Sequence, residues 1–298
     1  MFPRKVVINL GFKCNFKCAH CANSFQKKKK LSPDEIGLLI STINKYGVQR
    51  VQFIGGEPFL YLKDINRIIK GIVDNKSLEV SVTTNGSFAR SYDAAITALS
   101  AVPHIKRIQL SYDKFHARFL PFSQVENLVL AVRAMTLKFS VLCSIQAPTD
   151  MLTLAPLRGL GHDFPILVQK VLPQGRAVES GAVYSSYGGF DGKVLKRRCP
   201  DRNSLVYFCG KGFSSCCSTL MLGSAENGFH FETAEELYRS RFYRLTSRYT
   251  FGEIAGKLGV SRDSFKPEHS SVCNLCGDIF LSEKRGFCDG FKADQRIS

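Results

Sequence analysis

Between residues 5 and 172, short apolar runs alternate six times with stretches of helical periodicity, and this rhythm constrains the fold more than any other feature of the chain. The strand-like runs are Val6–Leu10, Val51–Ile54, Glu79–Thr84, Arg107–Ser111, Phe139–Ile145 and Ile166–Leu172. A strand, a helix and a further strand join in parallel through a right-handed crossover, so six such units predict one parallel sheet covered by helices. The simplest arrangement is α/β, a partial (β/α)6 TIM-like barrel open on one side. Helix signals agree with it. Ser32, Pro33 and Glu35 supply an N-cap, a first-turn proline and a capping box; Ile36, Leu39, Ile40 and Ile43 form one stripe; Gly47 ends the helix. Leu62, Ile65, Ile68, Ile69 and Ile72 share a face of the next helix, and a weaker one is expected around Ala94–Leu99. Ser123 and Glu126 read as a second capping box ahead of Leu128, Val129 and Val132.

In a parallel barrel the chemistry is assembled from loops at the carboxyl ends of the strands. The motifs here fall at those ends. After the first strand come Cys14, Cys18 and Cys21 in the order C-x3-C-x2-C, with Phe16 and His20 between them. Three thiolates can hold three irons of a four-iron cubane and leave the fourth iron open, whereas zinc is the other common use of such a set. After the second strand stands Gly55-Gly56-Glu57-Pro58, where glycines permit close backbone approach. Thr83-Thr84-Asn85-Gly86 follows the third strand, Ser111 and Asp113 end the fourth, and Gln146 follows the fifth.

The cysteine triplet, the Gly-Gly-Glu-Pro turn and their order along one β/α series resemble the radical S-adenosylmethionine superfamily. The resemblance implies a [4Fe–4S] radical cluster on Cys14, Cys18 and Cys21, with the open iron chelating the methionine end of S-adenosyl-L-methionine. It further implies reductive cleavage to a 5′-deoxyadenosyl radical that takes hydrogen from a substrate carbon. Cofactor contacts are implied for Phe16, His20, Gly55, Gly56, Glu57, Thr84, Asn85, Ser111, Asp113 and, more weakly, Gln146. A low-potential electron donor of the flavodoxin or ferredoxin type is the implied partner. In Asp113-Lys114-Phe115-His116, the histidine reads either as a general base near the substrate or as a surface residue at a helix start. His104, His162, His230 and His269 carry no motif.

Texture changes after Leu172, and a domain boundary is expected near residue 180, giving a barrel over 4–180 and a cysteine-rich domain over 181–298. Eleven cysteines, an odd number, suit metal ligation in a reducing compartment better than disulfides. Cys199 and Cys217 stand in C-x12-G-x4-C, and Cys273 and Cys276 in C-x2-C. This resembles the SPASM/twitch extensions of the superfamily and implies one auxiliary [4Fe–4S] cluster on Cys199, Cys217, Cys273 and Cys276. Adjacent Cys216 could replace Cys217. A zinc ribbon on the same thiolates, or an open cluster on Cys273, Cys276 and Cys288, are the alternatives. Cys209, Cys216 and Cys288 remain as candidate hydrogen donors to a substrate radical, and Cys143 reads as a core residue.

Lysine and arginine total 41 against 25 aspartate and glutamate, a formal charge of +16, so the chain attracts anions. An acidic peptide substrate fits this balance, with a small natural-product intermediate such as an aminoglycoside as the alternative. No room for an N-terminal peptide-recognition domain is expected ahead of residue 5. The run Lys27–Lys30 reads as a solvated loop or a docking patch. The first apolar run is too short for a signal peptide and no stretch approaches membrane-spanning length, so a cytoplasmic enzyme is expected. One competing reading comes from Thr250–Ser261, which looks like the first helix and turn of a helix-turn-helix in an iron–sulfur DNA-binding sensor. Pro267 leaves its recognition helix too short for a major groove.

Overall fold

The computed structural model describes residues 3–23, 30–73, 77–161, 164–186, 188–222 and 228–282. Cys288, His162 and Lys27–Lys29 lie outside them. The chain divides into two compact units between Tyr184 and Ser185. Among the described residues no helix is long and apolar enough to cross a membrane.

The first unit is built on six parallel strands: β1 (Lys5–Asn9), β2 (Arg50–Ile54), β3 (Glu79–Thr84), β4 (Ile105–Ser111), β5 (Lys138–Ile145) and β6 (Ile166–Lys170). Each pairs with the next in sequence, the order expected of an open β/α barrel. The register gives the sheet two unlike faces. Val6, Ile8, Val51, Phe53, Val80, Val82, Ile108, Leu110, Val141 and Cys143 share one face and are buried, so it is continuously apolar. The other face is polar. There the Gln52 amide donates to Thr83 Oγ1 (2.9 Å), which donates to Gln109 Oε1 (3.0 Å), and further along Gln169 donates to Ser144 Oγ (2.9 Å).

Between the strands run α1 (Pro33–Tyr46), α2 (Leu62–Lys70), α3 (Tyr92–Ser100) and α4 (Phe122–Ala134). The capping box of α1 is made as its sequence predicts: Ser32 Oγ accepts from Glu35 N at 3.1 Å, and Glu35 Oε2 accepts from Ser32 N at 2.7 Å. Ser32→Ala is expected to lower stability by about 1 kcal/mol, measured as a shift of the denaturation midpoint. At α4 the expectation fails. The helix starts at Phe122 with Pro121 at the cap position and no side-chain cap, which places Ser123 inside the first turn, past the point from which its hydroxyl could cap. Between β5 and β6 the chain winds as 3₁₀ turns over Pro148–Leu160, interrupted by Pro156, rather than as an α-helix. The short α5 (Arg176–Glu179) follows β6.

In the second unit, β7 (Ser204–Phe208) and β8 (Gly212–Ser214) form an antiparallel hairpin. Gly212 has φ +98°, and a Cβ there would stand 2.4 Å from the Phe231 carbonyl oxygen, so only glycine lets that segment bridge to β8. Helices α6 (Thr219–Leu222), α7 (Ala234–Arg239), α8 (Arg241–Arg248), α9 (Phe251–Lys257) and α10 (Val272–Ser282) follow. Phe229, Phe242 and Phe280 close a triangle of ring contacts at 5.1, 5.2 and 5.8 Å and centre the core of this unit. Between α9 and α10 the chain makes only 3₁₀ turns, Arg262–Ser264 and Pro267–Ser270, so the segment read as a recognition helix holds no α-helix.

Candidate functional site

The loop leaving β1 carries Cys14, Cys18 and Cys21, and the ends of the other strands hold it in place. Gly56 N and Glu57 N donate to Gly11 O (2.8 Å) and Lys13 O (2.9 Å), while Lys13 N donates to the Tyr61 hydroxyl (2.7 Å). A Cβ on Gly55 would lie 2.8 Å from Gly11 O, and one on Gly56 would lie 2.1 Å from Lys13 O. The backbone these two glycines admit is therefore the cysteine loop itself. Behind the turn, Glu57 is buried and caps the 3₁₀ turn Pro58–Tyr61 through Phe59 N, while Thr84 Oγ1 and Asn85 N donate to its two oxygens at 2.7 and 2.8 Å. Burial raises the Glu57 pKa, and the Asn85, Thr84 and Phe59 donors offset part of that rise.

Asn85 reaches back to the loop. Its amide donates to Asn15 Oδ1 (2.9 Å) and approaches Cys14 Sγ (3.7 Å), which also accepts from Phe16 N (3.4 Å). The Phe16 ring stacks on Phe119 at 5.3 Å. Ser111 ends β4 in register with Leu142. Gln146 bridges Lys114 Nζ (2.9 Å) and Gly181 O (2.7 Å).

Asp113 is fully buried and accepts from Phe115 N, His116 N and His116 Nδ1 at 2.9 to 3.0 Å and from Ser144 N at 3.2 Å. Burial opposes its charge, yet its bonds to His116 hold its carboxyl below the usual range. Burial lowers the His116 pKa, but Asp113 and Cys18 outweigh it and carry the imidazole up to about 10. His20 goes the other way, pushed by burial down to about 4 against the pull of Asp113. Its ring packs 4.5 Å from Phe115 and 5.0 Å from His116. Ligand atoms of Cys18, His20 and His116 lie within 4.8 Å of one another.

Sequence reasoning missed the segment after β6. Arg176 N donates to Cys21 O (3.0 Å), Arg176 Nη1 to Cys18 O (2.9 Å) and Ser180 Oγ to Ala19 O (2.9 Å). Gly175, at φ +55°, passes so close that a Cβ would stand 2.4 Å from Cys21 O. Both amide atoms of the neighbouring Gln174, and Nδ1 of His20, are buried without a hydrogen-bond partner among the described residues, which suits a polar ligand at this end of the sheet. The available signal was Gly175-Arg176 directly behind the last strand, which reads equally well as a plain turn.

The second unit groups five thiols, those of Cys199, Cys216, Cys217, Cys273 and Cys276. Cys276 is electrostatically coupled to Cys216, Cys199 and Cys273, and Cys199 and Cys273 are each coupled to Cys216. Cys273 and Cys276 stand three residues apart on the first turns of α10, which puts them on one face. Burial, followed by the neighbouring thiols, pushes Cys199 up to about 12 and Cys273 up to about 11. Cys217 also lies near Cys216 and Cys273, and directs its thiol to Asp201 Oδ2 at 3.1 Å. Cys209 is buried at the turn of the β7–β8 hairpin.

Comparison with known proteins agrees with this geometry. Residues 8–135 match the model of the Radical SAM superfamily. A probable GTP 3′,8-cyclase of Methanocaldococcus jannaschii is 27% identical over 137 residues, a match covering 44% of each chain, so this sequence spans less than half of that relative. The putative peptide biosynthesis protein YydG of Bacillus subtilis is 22% identical across 96% of this chain and 94% of its own. The solved structure of native anSMEcpe with AdoMet and a peptide bound superposes with a TM-score of 0.52 at 16% identity, over 94% of this chain and 96% of that one, and supports the fold alone.

Proposed function

We propose, from the match of residues 8–135 to the Radical SAM superfamily model, that this chain modifies a residue of a peptide or protein, using a cluster on Cys14, Cys18 and Cys21. The observation that carries the reading is the clamped cysteine loop: three thiols on one loop at the carboxyl end of a parallel sheet, pinned by the segments after β2, β3 and β6. The donor set fits a cubane with one open iron, because the loop supplies three thiols, and the Gln174 amide and His20 Nδ1, which have no partner among the described residues, remain for a polar ligand. When bound, the cluster and S-adenosyl-L-methionine supply a 5′-deoxyadenosyl radical. The residues of this chain hold the loop, orient the cofactor and keep water from the site.

A peptide substrate is supported by the likeness to YydG over nearly the whole of both chains and by the +16 charge, which suits an acidic precursor. The cyclase match covers too little of either chain to bring its substrate with it. The proposal includes a low-potential flavodoxin or ferredoxin-type donor and an auxiliary [4Fe–4S] cluster in the second unit. The nearness of Cys216 to Cys199, Cys273 and Cys276 supports these four as its ligands, with Cys216 in the place the C-x12-G-x4-C spacing gives to Cys217, whose thiol is engaged with Asp201 though it too lies near Cys273.

Anaerobically reconstituted, reduced protein is expected to convert S-adenosyl-L-methionine to 5′-deoxyadenosine and methionine, and absence of both products overturns the reading. Iron should approach about eight per chain, with Cys216→Ala losing roughly half of it and Cys217→Ala losing little. A content near four with zinc in the second unit would make that site structural. The fate of the substrate radical is part of the proposal. Hydrogen return from a thiol gives epimerisation, and electron loss to the second cluster gives oxidation or a cross-link. One deuterium gained from heavy water marks the first, and a product two hydrogens lighter marks the second.

A further inference from the structure

The turn after β3 ends in an amide whose direction is settled by its own bonds. Asn85 N donates to Glu57 Oε2 at 2.8 Å and Thr84 Oγ1 to Glu57 Oε1 at 2.7 Å, so a buried carboxylate fixes the backbone there. Asn85 Oδ1 accepts from Ser87 N at 3.0 Å. A backbone N–H can only donate, so this bond identifies the oxygen end of the side chain and puts Nδ2 on the other side. The amide has two hydrogens to give from there. One goes to Asn15 Oδ1 at 2.9 Å, and the other is directed at Cys14 Sγ, 3.7 Å away. Asn15 continues the chain, its own Nδ2 donating to Ser87 Oγ at 2.7 Å. A side-chain amide does not titrate, so none of this direction depends on pH.

We propose that Asn85 is a positioning residue for the radical cluster: its side-chain amide donates an Nδ2–H···S hydrogen bond to Cys14 and so sets the potential at which the cluster accepts its electron. The inference rests on the reading that Cys14, Cys18 and Cys21 hold that cluster. It gives the Asn85 side chain a partner other than the cofactor contact that the superfamily resemblance implies. Cys14 is the exposed thiol of the triplet, whereas Cys18 is buried and Cys21 half-buried. Water competes for its sulfur, and the protein sets two donors against it, Phe16 N at 3.4 Å and the Asn85 amide. The first is backbone, present with almost any residue at position 16; the second exists only because of the side chain at 85. Hydrogen bonds to cluster sulfurs are among the means by which a protein sets a cluster's potential. Reduction adds negative charge that spreads onto the sulfurs, so an N–H donor stabilises the reduced cluster more than the oxidised one and makes reduction easier.

The test is an EPR-monitored redox titration of the reconstituted full chain without S-adenosyl-L-methionine, following the reduced-cluster signal that changes when the cofactor is added afterwards. Asn85→Leu removes the amide and keeps the backbone donor to Glu57. Asn15→Ala breaks the amide chain but leaves Asn85 held by Ser87 N and facing Cys14. The expected result is a midpoint shifted to more negative potential in Asn85→Leu and an unshifted one in Asn15→Ala. An Asn85→Leu protein with full iron and an unmoved midpoint overturns the proposal, as does an equal shift in both variants. An effect that appears only after the cofactor is added gives Asn85 to the cofactor instead, and overturns it too. If Asn85→Leu takes up no iron, Asn85→Ser decides, because a serine hydroxyl can keep the turn bond to Ser87 N but is too short to reach Cys14. There a negative shift supports the proposal and an unmoved midpoint overturns it; loss of iron in this variant as well would make Asn85 a scaffold of the loop and overturn the tuning role. Failure of the underlying reading looks different, because the unsubstituted protein would then show no signal responsive to S-adenosyl-L-methionine.

Discussion

A chain with Cys14, Cys18 and Cys21 all replaced by alanine is expected to form no 5′-deoxyadenosine above a protein-free control while keeping roughly half of its iron. The loss should be complete rather than graded, because the open-iron chemistry needs all three thiolates on one cubane. The structure also says why the rest of the protein should survive. The loop is tied down chiefly through its backbone, with the carbonyls of Lys13, Cys18, Ala19 and Cys21 accepting from Glu57, Arg176 and Ser180. Alanine leaves every one of those bonds in place. Iron content and product analysis on one preparation check both halves of the expectation. Full cleavage activity in the triple variant would remove the triplet from the chemistry.

The parallel sheet was legible in the sequence because each strand of the first unit is a short apolar run at regular spacing. Glu79–Thr84 falls where its pattern places it, and β1, β2, β4 and β5 begin one or two residues before their apolar runs do. What the pattern could not show is which groups meet. Gly55 and Gly56 looked like room for a ligand, yet the nearest atoms to their missing side chains belong to Leu10, Gly11, Phe12 and Lys13. Spacing along one strand end says nothing about which other strand end passes over it. Arg176 stayed invisible for the same reason, since its partner carbonyl on Cys18 lies 158 positions away in sequence. Asp113 and His116 were visible as residues but not as a pair with a direction. That direction comes from the turn after β4, which folds His116 Nδ1 back onto Asp113. In the second unit, adjacency in sequence leaves Cys216 and Cys217 as alternatives, and what separates them is that Cys216 lies near Cys199, Cys273 and Cys276 while Cys217, near Cys216 and Cys273, turns its thiol to Asp201.

Gly56→Val is expected to cost about 3 kcal/mol of stability and to abolish cluster loading. At 2.1 Å from Lys13 O and 2.5 Å from the Lys13 carbonyl carbon, even a first carbon at position 56 overlaps backbone, which cannot rotate aside as a side chain could. Relief requires the cysteine loop to lift away. That movement breaks the bonds from Gly56 N to Gly11 O and from Glu57 N to Lys13 O, each worth about 1 kcal/mol. It also draws Glu57 from under Thr84 and Asn85, so the amide approaching Cys14 shifts with it. Gly37 provides the contrast within the same domain. It lies on the exposed side of α1 with nothing within 4 Å of an added Cβ, and Gly37→Ala should stabilise by about 1 kcal/mol through helix propensity. Denaturation of the two variants, with iron content measured on each, separates a general intolerance of side chains at glycine from a specific approach of two chain segments. Equal destabilisation at both positions, or full iron in Gly56→Val, would mean that the turn after β2 does not hold the cysteine loop in place.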